Sequence, residues 1–280
     1  MTEHVTEAVH ATAQGSAHEG VDIVHHLTQL DAVDVFFWKI PLDKLHFELF
    51  GINLSITKPV IFLWLAGLIL FLALTLSFRG GRLMRSKFAQ LLEVYILFVR
   101  DEIVYPNLGE KDGRRLLPFF LTLFFFILTC NLLGMVPSGS TATGNVNVTA
   151  GLAIIAFVMI QGMGIVKNGF IHHFKAMVPS GLPVFIVPIM IPVEIISMFT
   201  KPFALCIRLF ANMVAGHAVI LAFFGLVFMM QGFTRYLLGP LPLLGVIGIS
   251  ILEIFIAHLQ AFIFTILTAM FTAMSMHPSH

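Results

Sequence analysis

The run PVIFLWLAGLILFLALTLSF, residues 59 to 78, contains no charged side chain, and twenty apolar residues are what an α-helix needs to cross about 30 Å of hydrocarbon. Such a segment must satisfy its own backbone polar groups, because lipid offers no hydrogen bonds, and a helix does this within one stretch of chain. Composition extends the constraint to the whole chain: 58% of the 280 residues are hydrophobic and 11% charged, against about 25% charged in soluble domains. The expectation is an all-α integral membrane protein. Net charge is +1, which gives no electrostatic footprint for nucleic acid. Cys130 and Cys206 lie far apart in apolar runs and suggest neither a disulfide framework nor a thiolate metal site. The opening residues lack the basic region and apolar core of a cleavable signal, so the first span is expected to direct insertion itself.

Charge along the chain sets an order of segments. Residues 1–57 are polar and read as an extracytoplasmic tail. His4, His10, His18, His25 and His26 show no ligand spacing there, and the stretch from Val33 to Thr57 suits amphipathic helix or strand. After the 59–78 span, Arg79, Arg82, Arg85 and Lys87 mark the cytoplasmic side by the positive-inside rule. Residues 88–106 mix Glu93, Arg100, Asp101 and Glu102 with an apolar face and read as an interfacial helix rather than a span. Spans are expected over 116–137 and 148–166, separated by an external loop rich in Gly, Ser and Thr, with Lys167, His172, His173 and Lys175 again cytoplasmic. Two overlong helices, 184–231 and 241–276, are expected to pair as a tilted hairpin turned by Gly239, Pro240 and Pro242. The carboxyl terminus then falls in the cytoplasm. Asn147 to Thr149 matches a glycosylation sequon, a weak pattern that is discounted.

The last 105 residues hold only Glu194, Lys201, Arg208, Arg235 and Glu253 as Asp, Glu, Lys or Arg. Arg208 is the most demanding of them. A lone Arg at the bilayer centre costs from about 3 to more than about 10 kcal/mol, and its charge is permanent. Glu194, Lys201 and Arg208 are seven apart, so each is displaced only about 20° from the last. They form one stripe if the helix continues through Pro202. Asn212 shares the face of Arg208, whereas His217, nine residues on, points about 180° away. On the last helix Glu253 and Gln260 share a face. Gln260 is placed to meet the guanidinium across the hairpin, and Glu253 to meet His217 in a proton relay or a static pair. His258 is expected to pack or hydrogen-bond, and Arg235 to snorkel to the outer interface.

The segments KPFALCIRLFANMVAGH around Arg208, LQAFIFTILTAMF around Gln260, NLLGMVP from Asn131 and NVNVT from Asn145 closely resemble subunit a of F-type ATP synthases. The resemblance covers roughly residues 45 to 276 and leaves the amino-terminal tail outside. It implies a stator subunit whose two long helices lie against a rotating ring of c subunits, each with one essential carboxylate. Further implied partners are the peripheral-stalk b subunits, the remaining synthase subunits, membrane lipid and the translocated proton. Arg208 matches the family's essential arginine, which separates two offset half-channels. Asn212, His217, Glu253 and Gln260 match positions linked to the outer half-channel, and Glu194 one linked to cytoplasmic access. Some members carry Glu at the position of His217 and His at that of Glu253, so the pair is exchanged here. Acids that some members have near Gly134 and Asn145 are absent, and Ala211 replaces a common Gly, a small-for-small change.

The implied setting is a bacterial inner membrane. No cofactor is called for, and no phosphate-binding glycine loop occurs, which assigns nucleotide chemistry to partner subunits and leaves this chain without a catalytic site of its own. Three other readings compete. A stand-alone secondary transporter fits intramembrane charges, but the two halves show no internal repeat. A purely structural anchor does not explain a stripe of charges in lipid. A sodium-coupled form of the same machine stays open, because ion choice rests largely with the ring.

Overall fold

The computed structural model describes residues 32–35, 38–41, 48–49, 52–53, 58–77, 87–136, 142–175, 187–230 and 239–277. The tail histidines, the basic cluster Arg79, Arg82 and Arg85, the side chains of His172 and Lys175, and Arg235 lie outside the described residues. The chain forms two compact units, Met1–Ile61 and Phe62–His280.

In the first unit, β1 (Ala32–Val35) pairs antiparallel with β2 (Trp38–Pro41), and β3 (Glu48–Leu49) with β4 (Ile52–Asn53). The β-branched Val33, Val35 and Ile40 favour strand here over the helical option.

The second unit is helical throughout its described length, apart from short turns. It contains α1 (Lys58–Ser77, from Phe62 onward), α2 (Lys87–Phe98), α3 (Tyr105–Gly134), α4 (Val146–Asn168), α5 (Phe170–Lys175), α6 (Val187–Met229) and α7 (Pro240–Met276). Five helical stretches among the described residues are long and apolar enough to cross a membrane. The membrane unit is all-α, as expected from its apolar composition.

The interfacial segment and the following span do not separate. A single π-helical turn, Val99–Val104, carries α2 directly into α3. Pro106 sits in the first turn of α3, where a missing N–H breaks no helical bond. The break falls instead at Gly109, with φ 72°, a conformation that suits glycine.

The long helices exceed the bilayer. At about 1.5 Å per residue, α6 and α7 are roughly 65 and 55 Å long, against about 30 Å of hydrocarbon. Helix α6 runs through both Pro192 and Pro202. Proline inside a membrane helix is tolerated where neighbouring helices re-satisfy the freed carbonyls.

Helix α7 packs against α3, α4 and α6. Its inner face carries Ala257, Ala261 and Ala269, all fully buried, small side chains that let backbones approach closely. Thr265, Thr268 and Thr272 return their hydroxyls to carbonyls one turn back, at 2.8, 2.7 and 2.7 Å, so no hydroxyl is stranded in the apolar interior. Phe120, Phe124, Ile127, Leu205, Leu209 and Phe264 fill the space between helices.

Buried polar side chains fix the register of the packing. Asn131, fully buried on α3, donates to the Ala257 carbonyl of α7 at 3.3 Å and accepts from Thr143 Oγ1 at 2.9 Å. Thr149 of α4 lies 3.4 Å from Cys206 Sγ of α6. At the other end of the bundle, Lys167 Nζ donates to Asp112 and lies 2.7 Å from His277 Nε2, so the charged ends of α3, α4 and α7 meet. Asn168 Nδ2 donates to the carbonyls of Ser275 and Met276 at 3.1 and 3.3 Å, which caps the last turn of α7.

Gly164 is where α4 approaches α7 most tightly. A Cβ there would stand 2.1 Å from Ser275 Oγ and 2.5 Å from His173 Cε1. Ser275 Oγ donates to the Ile160 carbonyl at 2.8 Å, and rotating it away loses that bond. Gly164→Ala is expected to destabilise the helix bundle by about 1–3 kcal/mol, read as a lower thermal unfolding midpoint in detergent. An unchanged midpoint would show that α4 and α7 are not packed this closely.

Candidate functional site

The proline-tolerant course of α6 places Glu194, Lys201 and Arg208 on one continuous helix, which meets the condition for a single stripe. Leu205 and Leu209, 1% and 0% exposed, hold α6 in the core at about 60° and about 100° around the helix from Arg208, and Arg208 itself is exposed. Phe203 and Ile207 are exposed beside it. Among the described residues Arg208 forms no ion pair. A groove of about 490 Å³ runs between α6 and α7 from Val193 past Lys201 to Arg208. Lys201 Nζ sits 5.1 Å from the centre of the Phe271 ring, a cation–π contact that holds the ammonium against α7.

One turn beyond Arg208 the polarity turns inward. Asn212 Nδ2 donates to Gln260 Oε1 at 2.7 Å. This corrects the expected contact between Gln260 and the Arg208 guanidinium. Gln260 is 2% exposed, deep in the interface, and the amide of Asn212, one turn beyond Arg208, takes its acceptor. Gln260 Nε2 is buried with no acceptor among the described residues.

His217 and Glu253 meet as the charge pattern suggested. Nδ1 of His217 lies 2.8 Å from Glu253 Oε1, and Nε2 donates to the Gly134 carbonyl at 3.1 Å. The Glu253 side chain is 4% exposed and that of His217 23%. A buried carboxylate needs such a partner, because lipid and apolar side chains cannot solvate it. His258 donates from Nδ1 to the Ile254 carbonyl at 2.8 Å and stacks on Tyr95 with ring centres 6.0 Å apart.

Residues 60–273 match the family model described as the ATP synthase A chain. This chain belongs to that family. A protein of Chloroherpeton thalassium named ATP synthase subunit a is 41% identical over 272 residues, covering 94% of this chain and 79% of its own length. Its namesake in Myxococcus xanthus is 44% identical over 234 residues, covering 82% and 75%. A third, from Chlorobium phaeobacteroides, is 40% identical over 273 residues, covering 95% and 79%.

Within this A chain, the six candidate site residues Glu194, Arg208, Asn212, His217, Glu253 and Gln260 lie inside the matched region on α6 or α7. The structure unites Asn212 with Gln260 and His217 with Glu253, and leaves Glu194 half-buried. Two participants escaped the sequence reading. The Gly134 carbonyl is a backbone group that residue type does not advertise. Gly216 is the other: a Cβ there would stand 2.8 Å from Glu253 Oε1, so its bare backbone admits the carboxylate to His217. Its neighbourhood to His217 in the sequence was the available signal.

Gly216→Ala is expected to displace the Glu253 carboxylate and break its contact with His217. ATP synthesis by the assembled complex should then fall while the amount of assembled complex is kept. Wild-type synthesis in the variant would show that the close approach of Glu253 is dispensable.

Proposed function

We propose that this chain is the proton-conducting stator subunit of an F-type ATP synthase, with Arg208 as the barrier between two offset half-channels. The observation that carries this reading is an arginine without an ion-pair partner among the described residues, exposed on an apolar helix, with two part-buried polar pairs one to three turns away. A permanent cation at membrane depth requires a counter-charge. The carboxylate of a neighbouring c subunit supplies it transiently as the ring turns.

The electrostatics then order the cycle. A proton from the outer side passes the His217 and Glu253 pair and the Asn212 and Gln260 pair and neutralises a ring carboxylate. Neutral, that site leaves for lipid at little desolvation cost. After nearly a full turn it reaches the groove bounded by Lys201 and the segment of Glu194, where it loses the proton to the cytoplasm. Approaching Arg208 again, the carboxylate is held ionised by the guanidinium. The same fixed charge repels a proton that would cross directly. Each elementary charge moved contributes about 2.3 kcal/mol per 100 mV.

The partners on this reading are the c-ring, the peripheral-stalk b subunits and the nucleotide-handling subunits. The membrane is the bacterial inner membrane, with the amino terminus extracytoplasmic and the carboxyl terminus cytoplasmic. Membership of the ATP synthase A chain family and the charged cluster joining Asp112, Lys167 and His277 support this orientation and assembly.

Vesicles carrying the assembled complex with Arg208→Ala test the reading. Coupled pumping is expected to be abolished and passive proton leak kept or raised. Normal pumping would return the chain to the transporter class, and sodium dependence of wild-type transport would reassign the ion.

A further inference from the structure

The His217 ring is held at both nitrogens, and the two partners differ in kind. Glu253 Oε1 accepts or donates a proton according to its state, but the Gly134 carbonyl oxygen, 3.1 Å from Nε2, only accepts. While that contact lasts, Nε2 must carry hydrogen. A neutral imidazole has one N–H, and the bond made by one nitrogen decides the state of the other. Nδ1 is then the bare nitrogen of the neutral ring, 2.8 Å from Glu253 Oε1.

Two arrangements make that short contact attractive. In one, the Glu253 carboxylic acid donates to bare Nδ1; in the other, imidazolium Nδ1–H donates to the carboxylate. They interconvert by one proton moving between Oε1 and Nδ1 with no change in total charge. Removing that proton sets two lone pairs against each other. Moving the ring hydrogen to Nδ1 restores the Glu253 contact but turns bare Nε2 toward the Gly134 carbonyl, which is repulsive too.

Gly134 is the last residue of α3, where carbonyls lack an intrahelical donor, and among the described residues no backbone amide donates to its carbonyl. The next two amides bond elsewhere, Met135 N to Leu132 O at 3.2 Å and Val136 N to Leu133 O at 3.3 Å. Asn131, one turn earlier, ties this helix end to the Ala257 carbonyl, one turn beyond Glu253 on α7. Carbonyl and carboxylate are thus placed from one buried joint.

We propose that the Gly134 carbonyl is a positioning group that caps His217 Nε2 and confines proton exchange to the Nδ1–Oε1 edge. His217 is then a one-sided station and not a wire through its ring: a proton that arrives at Nδ1 leaves by Nδ1. Glu253 is the carrier, released from His217 whenever the shared proton is lost. This assignment rests on the proton-conducting reading for its role in transport, but its geometry is testable apart from that reading.

The test is solid-state NMR of the assembled complex in lipid vesicles with 15N-labelled histidine rings, the His217 signals being those lost in His217→Gln. The His217 signals are expected to show hydrogen on Nε2 in every population, with the bare nitrogen found only at Nδ1. A population with bare Nε2 overturns the proposal. Transport gives a second readout. Glu253→Gln is expected to cost proton flux on the order of tenfold or more beyond His217→Gln, whereas a through-ring relay makes the two losses equal. Failure of the proton-conducting reading shows separately, as undiminished pumping by Arg208→Ala.

Discussion

Lipid offers no hydrogen bonds, so polar groups that α6 and α7 carry into the membrane are favoured where the protein itself supplies partners. That preference shapes the pairing of the two helices. Asn212 meets Gln260 and His217 meets Glu253 across the same interface. Asn131 and Thr149 bind α3 and α4 to the pair from behind. The alanines of α7 and the glycines of α4 and α6 are the steric condition for these contacts: Gly164 and Gly216 each stand where a methyl group would collide with a polar side chain.

Arg208 is the exception that gives the arrangement its meaning. Two nearby charges are held: Glu253 by His217, Lys201 against the Phe271 ring. Arg208 faces outward beside exposed phenylalanine and isoleucine, where a permanent charge is costly. A cation with no ion-pair partner among the described residues, flanked by polar side chains that pair across the helix interface, is a surface suited to an acid from another chain. On the proposed reading that acid belongs to the ring, and the cost of exposing the guanidinium is met only in the assembly.

Much of this was legible in the sequence because charge is so scarce. With five charged side chains over the last 105 residues, a histidine and a glutamate at matching depths in a hairpin have few alternatives to each other. The number of spans followed from apolar length and the spacing of basic clusters. What escaped depends on finer geometry. Whether Gln260 reaches Arg208 or Asn212 is decided by one helical turn and by which side chain points inward, and heptad spacing groups both on one face. The continuity of α2 with α3 was hidden because Glu93, Arg100, Asp101 and Glu102 read as an interfacial helix apart from the span, yet Pro106 in a first helical turn breaks nothing. The Gly134 carbonyl and the gap at Gly216 are backbone features, and residue types do not announce them.

The most direct measurement is the structure of the assembled complex in a lipid environment, resolved well enough to place the Arg208 guanidinium. The account predicts that Arg208 faces the c-ring, within about 4 Å of a single ionised carboxylate, while Glu253 remains with His217. An Arg208 paired with an acid of its own chain, or turned to lipid away from the ring, would contradict it.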